Sequence, residues 1–246
     1  MQRASSSLIM DKGKIYGVAL GPGDPELITL KALKRLQAVD IIFYPTTVND
    51  KGLKSSMAYR VLEHLDIDLS KLVPVEVAMK YDRSVVNETY QKLAADCIEL
   101  CQQGKDVAVA SEGDISFYST FAYLIDDIKK ADVEYTMIPG VPAFILGGSL
   151  GKMPICTQTD KVLVVPEVAD EMALLNDVQA NETVVIMKVS KVKGWITDFL
   201  QKHKLDFFYG EYMGTNKEFI TSDVYALRER RIPYFSIIVI RQGAAG

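Results

Sequence analysis

Three short stretches concentrate residue types suited to holding a small ligand. Gly21-Pro22-Gly23-Asp24-Pro25 packs two glycines and two prolines between the apolar run Ile15–Leu20 and a helical pattern opening at Leu30. Glycine permits backbone angles and close approaches that a side chain forbids, and proline fixes its own φ. The second stretch, Ser111 to Phe121, joins Gly113 to two carboxylates (Glu112, Asp114), several hydroxyls (Ser116, Ser119, Thr120) and the rings of Phe117 and Tyr118. Such a loop can hydrogen-bond amino and hydroxyl groups while its rings cover an apolar part of a ligand. Ile138-Pro139-Gly140-Val141-Pro142-Ala143-Phe144 is another stiff Gly/Pro elbow. Each stretch has a plainer reading as a tight turn or a capped helix start, with Asp114 or Ser116 as the cap and Phe117 and Phe121 as core. The first is neither a dinucleotide fingerprint, for want of a third glycine opening the helix, nor a P-loop, since no Gly-Lys-Ser/Thr follows.

Alternating strands and helices must position these loops. Ile15–Leu20, Asp40–Tyr44 (ended by Pro45), Leu72–Val77, Asp106–Ala110 and Val133–Ile138 read as strands. Pro74, early in the third, marks a sheet edge or a strand start. Between them lie helical patterns: from Leu30 behind a Thr29 cap, Lys54–Leu65, Val86–Gln103, and Tyr118–Lys130. That βαβα rhythm predicts a mostly parallel sheet covered on both faces. The Gly/Pro-rich run Gly147–Pro154 suits a linker. Beyond it strands come closer together: Lys161–Val165, Glu182–Met187, Leu205–Met213, Glu218–Thr221 and Tyr234–Arg241. Helices fit Val168–Leu175, Lys191–Lys202 and a short one from Asp223 capped by Ser222. The expected fold is two α/β domains, residues 1–150 with a mostly parallel sheet and 151–246 with a mixed sheet, and a ligand cleft between them.

Composition narrows the function classes. The chain has 246 residues, 48% of them hydrophobic and 24% charged, and a formal charge of −4. That balance argues against a general nucleic-acid surface. The longest apolar runs, such as Tyr234–Ile240, fall short of the ~20 residues of a membrane helix, and Met1–Met10 lacks the apolar core of a secretory signal. Met1 and Met10 are both candidate starts. Three cysteines make no disulfide scaffold: Cys97 and Cys101 share a helix face and read as core thiols, Cys156 stands apart, and no metal-ligand set is visible. The expectation is a cytoplasmic protein without its own metal. Trp195, with Ile196, Phe199 and Leu200, reads as helix packing. Arg228–Arg231 reads as a solvated helix end, and Tyr209, Tyr212 and Met213 read as ligand contacts ahead of Gly214.

Taken in order, four stretches resemble the signatures of the tetrapyrrole methylases, enzymes that use S-adenosylmethionine. They are Gly21–Leu27 with Thr29-Leu30-Lys31-Ala32, the Gly113-Asp114 loop, Ile138-Pro139-Gly140-Val141, and Val185-Ile186-Met187-Lys188. Within the family, Glu112–Phe121, Pro74–Met79 and Pro233–Ser236 most resemble the group that methylates C20 of precorrin-2 or cobalt-factor-2 in cobalamin synthesis. The resemblance implies S-adenosylmethionine as cofactor, a tetrapyrrole as substrate and a homodimer. Positions matching the family's cofactor contacts, many of them made by backbone, are Pro22, Glu112, Gly113, Asp114, Phe117, Ser119, Thr120, Pro142, Ala143, Met187 and Gly214. Two departures stand out. Gly113-Asp114 is followed by Ile115 where the family has Pro, and Tyr44 is followed by Pro45 where uroporphyrinogen methylases have Asp.

The implied reaction needs in-line transfer of an already activated methyl to an electron-rich meso carbon, so positioning and desolvation dominate and no triad or metal is required. Tyr44 and Met79 are expected to line the macrocycle, Lys80 and Arg83 to meet its carboxylates, and Tyr81 or Asp82 to accept the meso proton through water. The alternatives are another tetrapyrrole methylase with a different ring position, a relative that methylates protein histidine or ribosomal RNA, or a non-catalytic S-adenosylmethionine-binding module.

Overall fold

The computed structural model describes residues 12–48, 54–78 and 83–242. The first compact unit contains β1 (Ile15–Ala19), α1 (Leu30–Ala38), β2 (Ile41–Val48), β3 (Lys54–Ser55) and α2 (Met57–Leu62). It continues with β4 (Leu72–Ala78), α3 (Arg83–Gln102), β5 (Val107–Ser111), α4 (Ile125–Lys130) and β6 (Tyr135–Ile138). The strands pair in the order β3-β2-β5-β1-β6, with β4 on the other edge of β2. Every pair is parallel except that of β2 with the two-residue β3.

Alternation divides the core between the two faces of this sheet. Tyr16, Val18, Ile42, Ala108 and Ala110 pack against Ala32 and Leu36 of α1 and Ala58, Val61 and Leu62 of α2. Ile15, Phe43, Val107 and Val109 pack against Tyr90, Leu93, Cys97 and Cys101 of α3 and Ile128 of α4. β1 and β5 are buried along their whole length, which explains their unbroken apolar sequences. The edge position expected from Pro74 is found, since β4 pairs only with β2. Thr29 caps α1 as expected, its hydroxyl accepting from the Ala32 amide at 3.2 Å.

Several boundaries differ from the sequence reading. β2 runs on past Pro45. β5 pairs with it only through Phe43 and β3 joins at Thr47, so the proline, which has no N–H to give, falls in the gap between those neighbours. Helix Lys54–Leu65 shrinks to α2 behind Ser56, whose hydroxyl accepts from the Tyr59 amide. The helix expected over Tyr118–Lys130 is interrupted at its start. Tyr118 has a left-handed φ of 52°, and Ser119 instead caps a 3-10 turn over Thr120–Tyr123 ahead of α4.

The second unit contains α5 (Ala143–Leu150), β7 (Val162–Val165), α6 (Glu171–Ala180), β8 (Thr183–Met187) and α7 (Ile196–His203). β9 (Asp206–Glu211), β10 (Phe219–Thr221), α8 (Val224–Arg228) and β11 (Ser236–Arg241) complete it. The order β10-β9-β11-β8-β7, antiparallel except between β7 and β8, makes the mixed sheet that was expected. One face packs on α6, α7 and α8 through Val184, Ile186, Tyr209 and Ile238, and the other on α5 through Val185, Phe208, Ile237 and Val239.

The linker expected at Gly147–Pro154 is instead the second half of α5 and its exit. A β-carbon on Gly147 would lie 2.8 Å from Ile237 Cδ1, and one on Gly148 would lie 2.8 Å from Ile155 Cγ1. These glycines serve close packing rather than freedom. Because α5 belongs to the second sheet, the compact units divide at Gly140–Val141 and not at residue 150, and Pro22–Asp24 counts with the second unit.

Candidate functional site

The three Gly-rich stretches follow β1, β5 and β6, which lie side by side in the sheet. Their loops are therefore brought together, and hydrogen bonds stitch them. Gly21 and Gly113 exchange two backbone bonds, the Gly21 amide to the Gly113 carbonyl at 3.2 Å and the reverse at 2.7 Å. Both residues have left-handed backbones, at φ 80° and 69°. The Asp114 carboxylate closes the third side. Oδ2 accepts from the Gly140 amide at 2.8 Å, and Oδ1 accepts from the Ser116 amide at 2.9 Å and its hydroxyl at 2.6 Å. A side chain at Gly140 has no room, since its β-carbon would meet that of Ala19 at 2.6 Å. Below the loop the Ser119 hydroxyl donates to Ser111 Oγ at 3.1 Å and accepts from the Phe121 amide at 3.2 Å.

The plainer reading of the Ser111–Phe121 loop, a capped helix start, holds in part. Ser119, not Asp114 or Ser116, is the cap, and Phe121 is core, whereas Phe117 is half-buried with its ring edge-on to exposed Tyr118 at 4.7 Å. Where a Gly113 side chain would point, no heavy atom lies within 4 Å. A backbone wall with open space before it can receive a cofactor of the kind the sequence suggests, with Gly21, Gly113 and Asp114 fixing its shape.

The two carboxylates of the loop are held in opposite ways. Burial pushes the Asp114 carboxyl up, but the Ser116 hydroxyl and the Gly140, Ser116 and Ile115 amides outweigh it and leave the group below its ordinary range. Burial dominates at Glu112 and raises its pKa against the opposing bonds from its own amide and that of Ala58. The Ala58 amide donates to Glu112 Oε1 at 3.2 Å, so this side chain turns to α2 and away from Asp114.

Tyr44 is half-buried on the α2 face, its ring 5.7 Å from that of Tyr59. Thr120 joins Tyr44, Phe43, Tyr90 and Val77 around a cavity with room for about one water. Met79, Lys80, Tyr81 and Asp82 lie outside the described residues, as do Met1 and Met10. Arg83 opens α3, and its side chain is likewise outside what is described.

The second unit's candidates stand at one end of its sheet. Met187 closes β8, and Gly214 follows β9 with a φ of 75°, its amide donating to Glu218 Oε2 at 2.8 Å. Pro142 precedes α5, and Ala143 packs into that helix's core. Tyr209 and Met213 are buried, the first beneath β9 among α6–α8 and the second against α5, so neither is an open ligand contact. Sequence reasoning missed why Tyr209 is there. Its hydroxyl donates to Glu211, a carboxylate only 4% exposed, which Arg230 also pairs with. Burial and that carboxylate push the Tyr209 phenol well up. Arg230 lies over the Phe219 ring, 4.0 Å from its centre, although the run Arg228–Arg231 is exposed as expected. A Glu following the apolar run Phe207–Gly210 within a strand was the available signal. Trp195 packs edge-on to Phe199 as expected.

Cys97 and Cys101 are buried and free, burial raising the pKa of both and that of Cys101 to about 11. Among the described residues no cluster of His, Cys, Asp or Glu is placed to hold a metal ion, and no helix is long and apolar enough to cross a membrane.

The family model of the tetrapyrrole (corrin/porphyrin) methylases matches residues 14–227, and the chain belongs to that family. Among its relatives is a precorrin-2 C(20)-methyltransferase of Sinorhizobium sp, 29% identical over 93% of this chain and 95% of the relative. A cobalt-precorrin-2 C(20)-methyltransferase of Salmonella typhimurium is 27% identical over 72% of this chain and 73% of its own. Among solved structures, uroporphyrin-III C-methyl transferase from Thermus thermophilus, complexed with S-adenyl homocysteine, superposes with a TM-score of 0.64 at 19% identity. That match covers 94% of this chain and 98% of that one, and it shows the shared fold.

Proposed function

We propose that this protein is an S-adenosylmethionine-dependent C-methyltransferase acting at C20 of precorrin-2 or its cobalt-loaded counterpart in cobalamin biosynthesis. The observation that carries this is end-to-end similarity to the Sinorhizobium C(20)-methyltransferase, over 93% of one chain and 95% of the other. The stitched loop junction supports it, because a rigid backbone wall open at Gly113 suits a bound nucleoside better than a flexible loop does.

In this reading the cofactor's contacts are the backbones of Pro22, Glu112, Gly113 and Asp114, together with Phe117, Ser119, Thr120, Pro142, Ala143, Met187 and Gly214. The cofactor supplies a methyl group on a sulfonium, already activated for transfer. The chain orients that methyl, excludes water and leaves the macrocycle to provide the nucleophilic carbon. Tyr44 and Met79 line the macrocycle, Lys80 and Arg83 meet its carboxylates, and the enzyme works as a cytoplasmic homodimer.

The test is anaerobic incubation with S-adenosylmethionine and either precorrin-2 or cobalt-factor-2, read by mass spectrometry and by NMR with a carbon-labelled methyl. One new methyl on C20 is expected. A methyl placed elsewhere moves the enzyme to another step of the family's chemistry, and no transfer despite cofactor binding overturns the assignment.

A further inference from the structure

At one end of the second sheet, three aromatic rings and a lysine stand together. Tyr234 and Phe235 lead into β11 and remain 45% and 38% exposed. Their rings meet edge-on at 5.3 Å, and the half-buried Tyr212 ring lies 6.2 Å from that of Phe235. The Lys188 ammonium sits 5.7 Å from the centre of the Tyr234 ring. Strand register places this cluster beside Met187 and Gly214, since Ile237 pairs with Met187 and Ser236 with Glu211, shortly before Gly214. The backbone beneath the rings is pinned, and at a cost. Lys188 and Tyr212 both have left-handed φ, 55° and 47°, where a side chain is strained. The Lys188 amide donates to the Ser236 carbonyl at 3.1 Å, and the Tyr212 amide to that of Phe235 at 3.0 Å. The Ser236 hydroxyl donates to the Pro233 carbonyl at 2.7 Å. Yet neither Tyr234 nor Phe235 belongs to the core on either face of the sheet. A turn held this tightly, with its large rings left in water, marks a binding surface.

We propose that this face binds the tetrapyrrole, whose apolar ring system rests against Tyr234 and Phe235 while one of its carboxylates pairs with Lys188. The inference rests on the function proposed above and adds to it a substrate contact in the second unit. Charge complementarity selects the occupant. Lys188 forms no ion pair among the described residues, and its contact with the Tyr234 ring leaves its three N–H donors available to an anion. Its neighbour Lys191, by contrast, is already paired with Glu167 at 2.9 Å. The carboxylates on the adjoining strand and loop are engaged elsewhere: Glu211 is buried with Tyr209 and Arg230, and Glu218 accepts from the Gly214 amide. An exposed apolar surface with one uncommitted cation at its edge fits a ligand that is apolar in its rings and anionic in its side arms. A tetrapyrrole bearing acetate and propionate groups has that character.

The test is an anaerobic absorbance titration of cobalt-factor-2 into the full chain held with S-adenosylhomocysteine. Lys188→Gln is expected to weaken macrocycle binding about tenfold, while the Kd for S-adenosylhomocysteine, measured by calorimetry, stays within about twofold. Lys188→Arg should recover most of the loss. Tyr234→Ala and Phe235→Ala should each weaken the macrocycle roughly fivefold. Wild-type affinity should fall as ionic strength rises, and less steeply in Lys188→Gln. Unchanged macrocycle affinity in Lys188→Gln overturns the inference. So does a loss confined to S-adenosylhomocysteine, which makes Lys188 a cofactor contact. A dimer that falls apart in Tyr234→Ala or Phe235→Ala with macrocycle affinity intact also overturns it, by making the face an interface between copies. Should Lys188→Gln fail to fold, the two exposed aromatic positions carry the same test. The titration needs no turnover, so a wild-type protein that places no methyl on C20 fails the parent reading alone and leaves this comparison decisive.

Discussion

Asp114 and Glu112 stand two residues apart and answer pH in opposite directions. Asp114 is only 8% exposed, yet three amides and a hydroxyl hold its carboxyl ionised. Its folded pKa is depressed, so its contribution is complete above the unfolded value of about 4 and is lost as pH falls through the folded one. Asp114→Asn turns an acceptor into a donor against the Gly140 amide. It should cost about 2 kcal/mol at pH 7 and weaken S-adenosylhomocysteine binding roughly tenfold, and the stability deficit should shrink below pH 4. A deficit independent of pH would mean that the charge is irrelevant. Glu112 has its folded pKa raised. Between the unfolded value of about 4.3 and the raised one, the folded protein keeps a proton that the unfolded chain has shed, so stability falls as pH rises through that window. Glu112→Gln should therefore melt higher than wild type at pH 8 and indistinguishably at pH 4. Equal melting at both would remove the burial penalty from the account. The sequence displays both carboxylates with equal prominence. What separates them is which amides the fold brings up, from Gly140 to one and from Ala58 to the other, and no local pattern encodes those partners.

At the scale of elements, strands with continuous apolar runs and helices with clear caps were legible: β1, β5, α1 and the mixed order of the second sheet. Elements were misread where glycine or proline served packing. Gly147 and Gly148 look like a hinge in sequence, yet α5 needs them to approach Ile237 and Ile155. Gly147→Val should destabilise by about 1–3 kcal/mol through overpacking. Gly194→Ala, where no heavy atom lies within 4 Å of the added carbon, should stay within about 0.5 kcal/mol. Equal effects in denaturant titration would restore the linker reading. Arg230 was likewise lost in a charge run, because its partner Glu211 comes from a strand 19 residues earlier. Arg230→Met strands a buried carboxylate and should cost about 3 kcal/mol, the low end for a broken buried pair because the arginine is partly exposed.

Over the whole molecule, the signatures were readable because they are backbone devices. Gly21, Gly113 and Gly140 are specified by conformation and space, which composition shows directly. Their meeting follows from strand order, which it does not. If the junction binds its cofactor only when the loops are stitched, S-adenosylhomocysteine at 100 times its Kd should stabilise the folded chain by about 2.7 kcal/mol. No rise in melting temperature at that excess would argue against a binding site in the native state.

β1 lies between β5 and β6, so both its edges are filled by strands that come later in the chain. On the ribosome this has a timetable. Ile15 emerges roughly 90 residues before Val107, its partner, which at about 5–20 residues per second leaves the strand waiting on the order of 5–20 seconds. During that interval a fully apolar segment has two open edges, a natural ligand for a chaperone. Nascent chains arrested before β5 should accordingly be held by chaperones or aggregate, and those arrested after β6 is free of the exit tunnel should be released.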